Sequence, residues 1–200
     1  MEIVLATRNR KKSEELQRIL AGADVTVLTL NDFPDCPEVV EDKDTFEGNA
    51  IKKASEVASY TGRVAVADDS GLEVYALGNA PGVFSARYAG ENADDEKNIR
   101  KLLDEMKDIE PAKRGARFVC CIAFAQPNHQ TKTFLGFVEG VIGTEVRGSG
   151  GFGYDPVFYP LNSSKTFAEI TPKEKDEVSH RKKALEGWGD YLKKTYFSKT

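Results

Sequence analysis

Val64-Ala65-Val66-Ala67-Asp68-Asp69-Ser70-Gly71 decides how this chain reads. Four small apolar residues run into two adjacent carboxylates, a hydroxyl and a glycine. The apolar run has the length and flanks of a strand and shows no polar alternation. Both of its faces are therefore covered, as in the middle of an α/β sheet. Ligands bind at the carboxyl ends of strands in open sheets of this kind. Two neighbouring carboxylates placed there are expensive to desolvate unless a cation joins them. Two readings follow. One is a Mg²⁺ site with a catalytic base. The other is a surface Asp-Asp turn in which Ser70-Gly71 makes the bend.

On the amino-terminal side, Glu2–Thr7 reads as a first strand and a helix then carries Leu16, Ile19 and Leu20 at helical spacing. Between them lie Thr7, Arg8, Asn9, Arg10, Lys11 and Lys12, a hydroxyl, an amide and four cations at a strand-to-helix junction. A helix N-terminus offers unpaired N–H groups and a positive dipole end, which favour phosphate. Basic residues in a first turn disfavour the helix itself. Either a bound polyphosphate supplies the reason for them or the run is simply solvated. The P-loop pattern is absent. Asp24–Leu30 is expected as a second strand and Asn31–Asp44 as a loop with Glu38, Glu41 and Asp42. A helix over Phe46–Thr61 then places Phe46, Ala50, Ile51, Ala54, Val57 and Ala58 on one stripe, and Gly62 stops it.

On the carboxyl side, Leu72–Tyr75 reads as a short separate strand and Leu77–Arg87 as a shaped loop. Asn92–Lys107 is an amphipathic helix, and Arg117–Ala125 with Thr133–Ile142 is an expected antiparallel pair. In Ser149–Pro156, three glycines surround Phe152 and Tyr154 and let the backbone approach something flat. Aromatics can stack on a nucleobase, worth roughly 1–3 kcal/mol per base; the same residues would serve a packed hairpin turn. Thr171-Pro172-Lys173-Glu174 carries three helix-start signals. Ser179 caps a further helix with Ala184, Leu185, Trp188 and Leu192 inward, and His180-Arg181 in its first turn.

Composition narrows the class. With 40% hydrophobic and 30% charged residues the chain is ordinary for a globular protein, and its length of 200 residues suits one domain over 1–200. No apolar run approaches the ~20 residues of a membrane span, and Met1–Leu5 lacks the basic region of a signal peptide. A net charge of −4 argues against a stable nucleic-acid partner. Cys36, Cys120 and Cys121 are an odd number without metal-like spacing, so a reducing, cytoplasmic setting is expected.

Six segments of the chain, Thr7–Lys12, Thr45–Ala50, Ala67–Gly71, Pro81–Arg87, Gly150–Pro156 and Ser179–Arg181, together resemble the inosine/xanthosine triphosphate pyrophosphatases that hydrolyse non-standard purine nucleoside triphosphates. The resemblance implies an elongated mixed α/β sheet with flanking helices, two lobes around a central active-site cleft, and a homodimer. It implies Mg²⁺-dependent hydrolysis of ITP, dITP or XTP to the monophosphate and pyrophosphate. Carried over by motif, Thr7, Asn9 and Lys12 hold phosphates, and Asp69 is proton acceptor and magnesium ligand with Glu41 helping to hold the metal. Ser70, Phe152, Gly153, Tyr154, Asp155, Lys175, His180 and Arg181 contact substrate. Arg8 stands where many members have glycine.

Overall fold

A computed structural model describes residues 1–21 and 25–197. Six strands, β1 (Glu2–Leu5), β2 (Thr26–Thr29), β3 (Ala65–Val74), β4 (Gly115–Ala125), β5 (Lys132–Ile142) and β6 (Phe158–Pro160), form one sheet in the order β2-β1-β3-β4-β5-β6. β1 is parallel to both β2 and β3, whereas β5 and β6 are antiparallel, so the fold is a mixed α/β sheet with flanking helices. The helices are α1 (Arg10–Leu20), α2 (Phe46–Thr61), α3 (Asp95–Glu105), α4 (Pro172–Val178) and α5 (His180–Leu192). The second strand begins two residues later than expected, and Asp24 lies outside the described residues.

α2 has the expected bounds. Thr45 accepts a hydrogen bond from the Gly48 amide at its start, and Gly62 ends it in the left-handed conformation at φ 65°. α4 starts on the expected capping box between Thr171 and Glu174. The expected break before Leu72 does not occur. β3 runs unbroken through Asp68-Asp69-Ser70-Gly71 to Val74, so Leu72–Tyr75 is no separate strand. Both carboxylates are buried, which removes the surface-turn reading. Side chains reaching Asp68 and Asp69 from other elements overrule the turn tendency of the local residues.

The chain divides into two compact units. The first comprises Met1–Asp69, Cys120–Gly136 and Arg181–Thr200, and the second comprises Ser70–Val119 and Phe137–His180. In the first, Ile3, Leu5, Leu16, Val66, Ile122 and Trp188 belong to one apolar core. In the second, Leu72, Leu102, Phe118, Val138, Phe158 and Phe167 are central, with the Phe118 and Phe158 ring centroids 4.6 Å apart. The Cys120 and Cys121 thiols are fully buried, as expected of core residues.

Candidate active site

In the first unit, strand register creates the site. β1 ends at Leu5, opposite Val66. β3 continues past that end, so Asp68 and Asp69 emerge where the strand order turns back on itself around β1. This is the position at which open α/β sheets bind ligands. The same turning point carries Thr7–Lys12. Thr7 Oγ1 accepts from the Asn9 amide at 3.1 Å, and Asn9 Oδ1 caps α1 by accepting from the Lys12 amide at 3.1 Å. The basic residues of that helix start then separate. Arg10 lies along the helix surface and pairs with Glu14, Arg8 donates to the Cys36 carbonyl at 2.6 Å, and Lys11 is exposed. Lys12 turns inward, its Nζ 2.8 Å from Asp68 Oδ1.

Successive residues of a strand face opposite sides. Asp68, two residues from the core residue Val66, faces the α1 and α5 side. There it also receives Arg181 Nε at 3.0 Å and the Cys120 thiol at 3.0 Å. Burial opposes its charge, but Arg181, Lys12 and the Cys120 hydrogen bond hold the Asp68 carboxyl well below the usual carboxylate range. Burial likewise opposes the Lys12 charge, yet Asp68 and Asp69 keep that ammonium's pKa above its ordinary value. Arg181 also places Nη1 3.3 Å from Glu15 Oε1, with both side chains buried. Its guanidinium meets carboxylates of its own chain, so a substrate contact by Arg181 acts through that pairing.

Asp69 faces α2. Lys53 on that helix sits 3.8 Å from Asp69 Oδ1 and hydrogen-bonds Glu41. Asn49, one turn earlier on α2, accepts from the Lys43 amide at 2.9 Å and so fastens the loop that brings Glu41 in. Of the three loop carboxylates, Asp42 and Glu38 are exposed, and Asp42 pairs with Lys52 at 2.9 Å; Glu41 shares Lys53 with Asp69. Burial raises the Asp69 carboxyl to about 6, helped by the charges of Glu41 and Asp68 and opposed by those of Lys53 and Lys12. Its Oδ2 is buried with no hydrogen-bond partner among the described residues.

Among the described residues no three His, Cys, Asp or Glu side chains make a complete metal cage. Hard divalent ions that bind phosphate substrates commonly use only one or two carboxylates, with water and phosphate oxygens completing the shell. Asp69 and Glu41 are hard oxygen donors, and the unsatisfied Oδ2 is an orphan that a cation would satisfy. The residues therefore fit such an ion. A cavity of about 480 Å³ in this unit lies elsewhere, between the Cys36–Val39 loop and the outer face of α2.

The second unit gathers another part of the expected set. Asp155 Oδ2 accepts from the Phe152 amide at 2.9 Å and from Lys175 Nζ at 2.6 Å. The Lys175 ammonium lies 4.7 Å from the centre of the half-buried Phe152 ring. The Gly153 amide donates to Asp95 at 2.8 Å. Tyr154 is differently placed from a base-stacking residue. Its ring is in the core and its hydroxyl donates to the Ser85 carbonyl at 2.9 Å. The His180 ring is buried and lies parallel to Phe118, centroids 4.9 Å apart. Ser70 follows Asp69 on β3 and is half-buried.

Sequence reading missed Lys53, Glu15 and Cys120. The first two carried a signal, a charge on the apolar stripe of an amphipathic helix. Cys120 carried none, because a buried thiol in an apolar run is ordinary core.

The fold and the site define an α/β protein with a buried carboxylate–lysine centre beside a helix N-terminus, the arrangement of a phosphate-handling site. A sequence model of the Ham1 family matches residues 3–191. The chain belongs to the Ham1 family. A dITP/XTP pyrophosphatase of Geobacter sulfurreducens is 51% identical over 95% of this chain and 96% of its own length. One from Desulforamulus reducens is 48% identical over 98% of each chain. The solved Ham1 protein structure from Coxiella burnetii matches with a TM-score of 0.88 at 42% identity, covering 98% of this chain and all of that one. The Staphylococcus aureus Ham1 protein matches with a TM-score of 0.86 at 41% identity, covering 97% and 99%.

Proposed function

We propose that this chain is a nucleoside triphosphate pyrophosphatase that hydrolyses dITP, ITP and XTP to the monophosphate and pyrophosphate with Mg²⁺. The observation that carries the reading is Asp69, a buried carboxylate with an unsatisfied oxygen, on a strand flanked by Lys12 and Lys53. The relatives of this chain, dITP/XTP pyrophosphatases, supply the substrate class.

The reaction breaks the bond between the α-phosphorus and the oxygen bridging to the β-phosphate. A water oxygen takes its place at phosphorus. Asp69 is the base that receives the water proton. Thr7, Asn9 and Lys12, at the α1 N-terminus, hold phosphate oxygens, and Lys12 neutralises charge gathering on the leaving pyrophosphate. Asp69 and Glu41 would hold Mg²⁺, which would supply further charge neutralisation and polarisation of the phosphate. Asp68, held ionised by Arg181, fixes Lys12 rather than accepting a proton.

Ser70, Phe152, Gly153, Asp155, Lys175, His180 and Arg181 are the proposed substrate contacts, with Tyr154 supporting its loop from the core and Arg8, Arg10 and Lys11 flanking the phosphate seat. Hypoxanthine and xanthine present an acceptor oxygen at position 6, where adenine presents a donor. A buried donor set against position 6 would be left unpaired by adenine, at about 1–3 kcal/mol. Residues 1–200 act as one functional domain, as a homodimer, in the cytoplasm. Three buried free thiols suit a reducing compartment. No helix among the described residues is long and apolar enough to cross a membrane.

Product analysis with Mg²⁺ tests the reading on inosine, xanthosine, adenosine and guanosine triphosphates. Monophosphate and pyrophosphate from the first two, with little from the others, is the expected result. Orthophosphate and a diphosphate would replace it with a phosphatase, and binding without product would make the chain a nucleotide sensor.

A further inference from the structure

Glu15 takes no part in the chemistry above, yet it is a buried carboxylate three residues after Lys12 on α1, so the two share a face. Its Oε1 is 3.3 Å from Arg181 Nη1. Arg181 Nε is 3.0 Å from Asp68 Oδ2, and Asp68 Oδ1 is 2.8 Å from Lys12 Nζ. Charges therefore alternate along Glu15, Arg181, Asp68 and Lys12, a chain that begins and ends on one helix within a single turn. Buried ion pairs are often no more stabilising than apolar residues of the same size. A carboxylate in the apolar stripe of α1 thus has a better explanation in placement than in stability.

We infer that Glu15 is a positioning residue for Lys12. By engaging Nη1 of the Arg181 guanidinium it holds the opposite edge of that fork towards Asp68, with Nε 3.0 Å from Oδ2 but Nη2 only 3.5 Å from Oδ1, so that Oδ1 keeps the ammonium at 2.8 Å as its nearer partner. Released from Glu15, the guanidinium can close Nη2 from 3.5 Å onto Oδ1 and complete the short bidentate geometry that Arg–carboxylate pairs favour. Lys12 then loses its seat and its aim at phosphate. The inference rests on the phosphate-holding role proposed for Lys12.

Calorimetric titration of pyrophosphate with Mg²⁺ tests it on the wild-type protein, Glu15→Asp, Lys12→Ala and the double variant, each checked for fold by circular dichroism. Glu15→Asp keeps the charge and shortens the reach. It is expected to weaken pyrophosphate binding about tenfold in the wild-type background and to have no further effect when Lys12 is already alanine. An unchanged affinity in Glu15→Asp, or equal losses in both backgrounds, overturns the inference. Should Glu15→Asp not fold, Arg181→Lys keeps the charge and lacks the fork. The same loss, silent beside Lys12→Ala, is then expected, and an additive loss overturns the inference. The product analysis on wild-type protein separates the two levels. Normal pyrophosphate release with an indifferent Glu15→Asp removes only the positioning role, whereas absence of pyrophosphate release removes the reading of the site on which it rests.

Discussion

At Asp69, burial and chemistry pull in opposite directions. The folded pKa of about 6 lies above the ordinary 3.8, so the fold favours the protonated form. That contribution to stability is fully present below the unfolded pKa and is lost as pH rises through 6. At pH 7 the metal-free protein carries a buried charge that costs on the order of 1–3 kcal/mol. Asp69→Asn is expected to raise the melting temperature of metal-free protein at pH 7, with the gain shrinking towards pH 5, while turnover falls by orders of magnitude. Calorimetry and product assays check the two halves. An unchanged melting temperature would mean that Lys53 already compensates the charge, and near-normal turnover would remove Asp69 from its catalytic role. Such opposition between stability and activity is common where a charged group is held ready for chemistry.

Among the elements, the loop before the 3₁₀ turn Asp155–Val157 is the most constrained. Gly151 adopts φ 70°, and a Cβ there would lie 2.1 Å from Asp155 Oδ2. Gly151→Ala is therefore expected to displace the carboxylate from the Phe152 amide and from Lys175. It should raise KM for inosine triphosphate at least tenfold while leaving pyrophosphate affinity nearly unchanged, as read by steady-state kinetics beside calorimetry. Equal losses for both ligands would show that the loop supports the phosphate seat instead. The glycine cluster was legible in the sequence, but its reason was not. Expected closeness to a flat ligand turns out, at Gly151, to be closeness to the chain's own carboxylate, and Tyr154 packs inward on Ser85. The bounds of α2 and the start of α4 were legible because their caps are local chemistry. The full length of β3 was not, because Asp-Asp-Ser-Gly has turn-forming composition and only partners distant in sequence, Lys12, Lys53 and Arg181, make it pay to continue as a strand. The paired carboxylates Asp68 and Asp69 could be found from their motif. The lysine that shares Asp69 could be found only by asking why a charge sits on a buried helix stripe.

Taken as a whole molecule, the protein keeps its three thiols out of solvent, with Cys36 at 4% exposure and the pair at 120–121 fully enclosed. Burial pushes the Cys121 thiol up to about 12 and the Cys120 thiol well above the ordinary range, so neither is a thiolate near neutral pH. Native protein treated with iodoacetamide at pH 8 is expected to remain unmodified for hours and to take up three groups on denaturation, as counted by intact mass. Rapid single modification of the native chain would place a thiol at the surface.

The unbroken run of β3 has a consequence for how this gene can change. Side chains along the strand alternate between two faces, so removing or adding one codon between Ala65 and Asp68 would shift the reading of the strand by half a pleat. A deletion would put Asp69 in the place of Asp68 and Ser70 in the place of Asp69, and an insertion would put Asp68 in the place of Asp69 and the residue before it opposite Lys12. A substitution in this segment alters one role. An insertion or deletion leaves one of the two carboxylate positions without a carboxylate, so the spacing of β3 matters more than most of the residues that compose it.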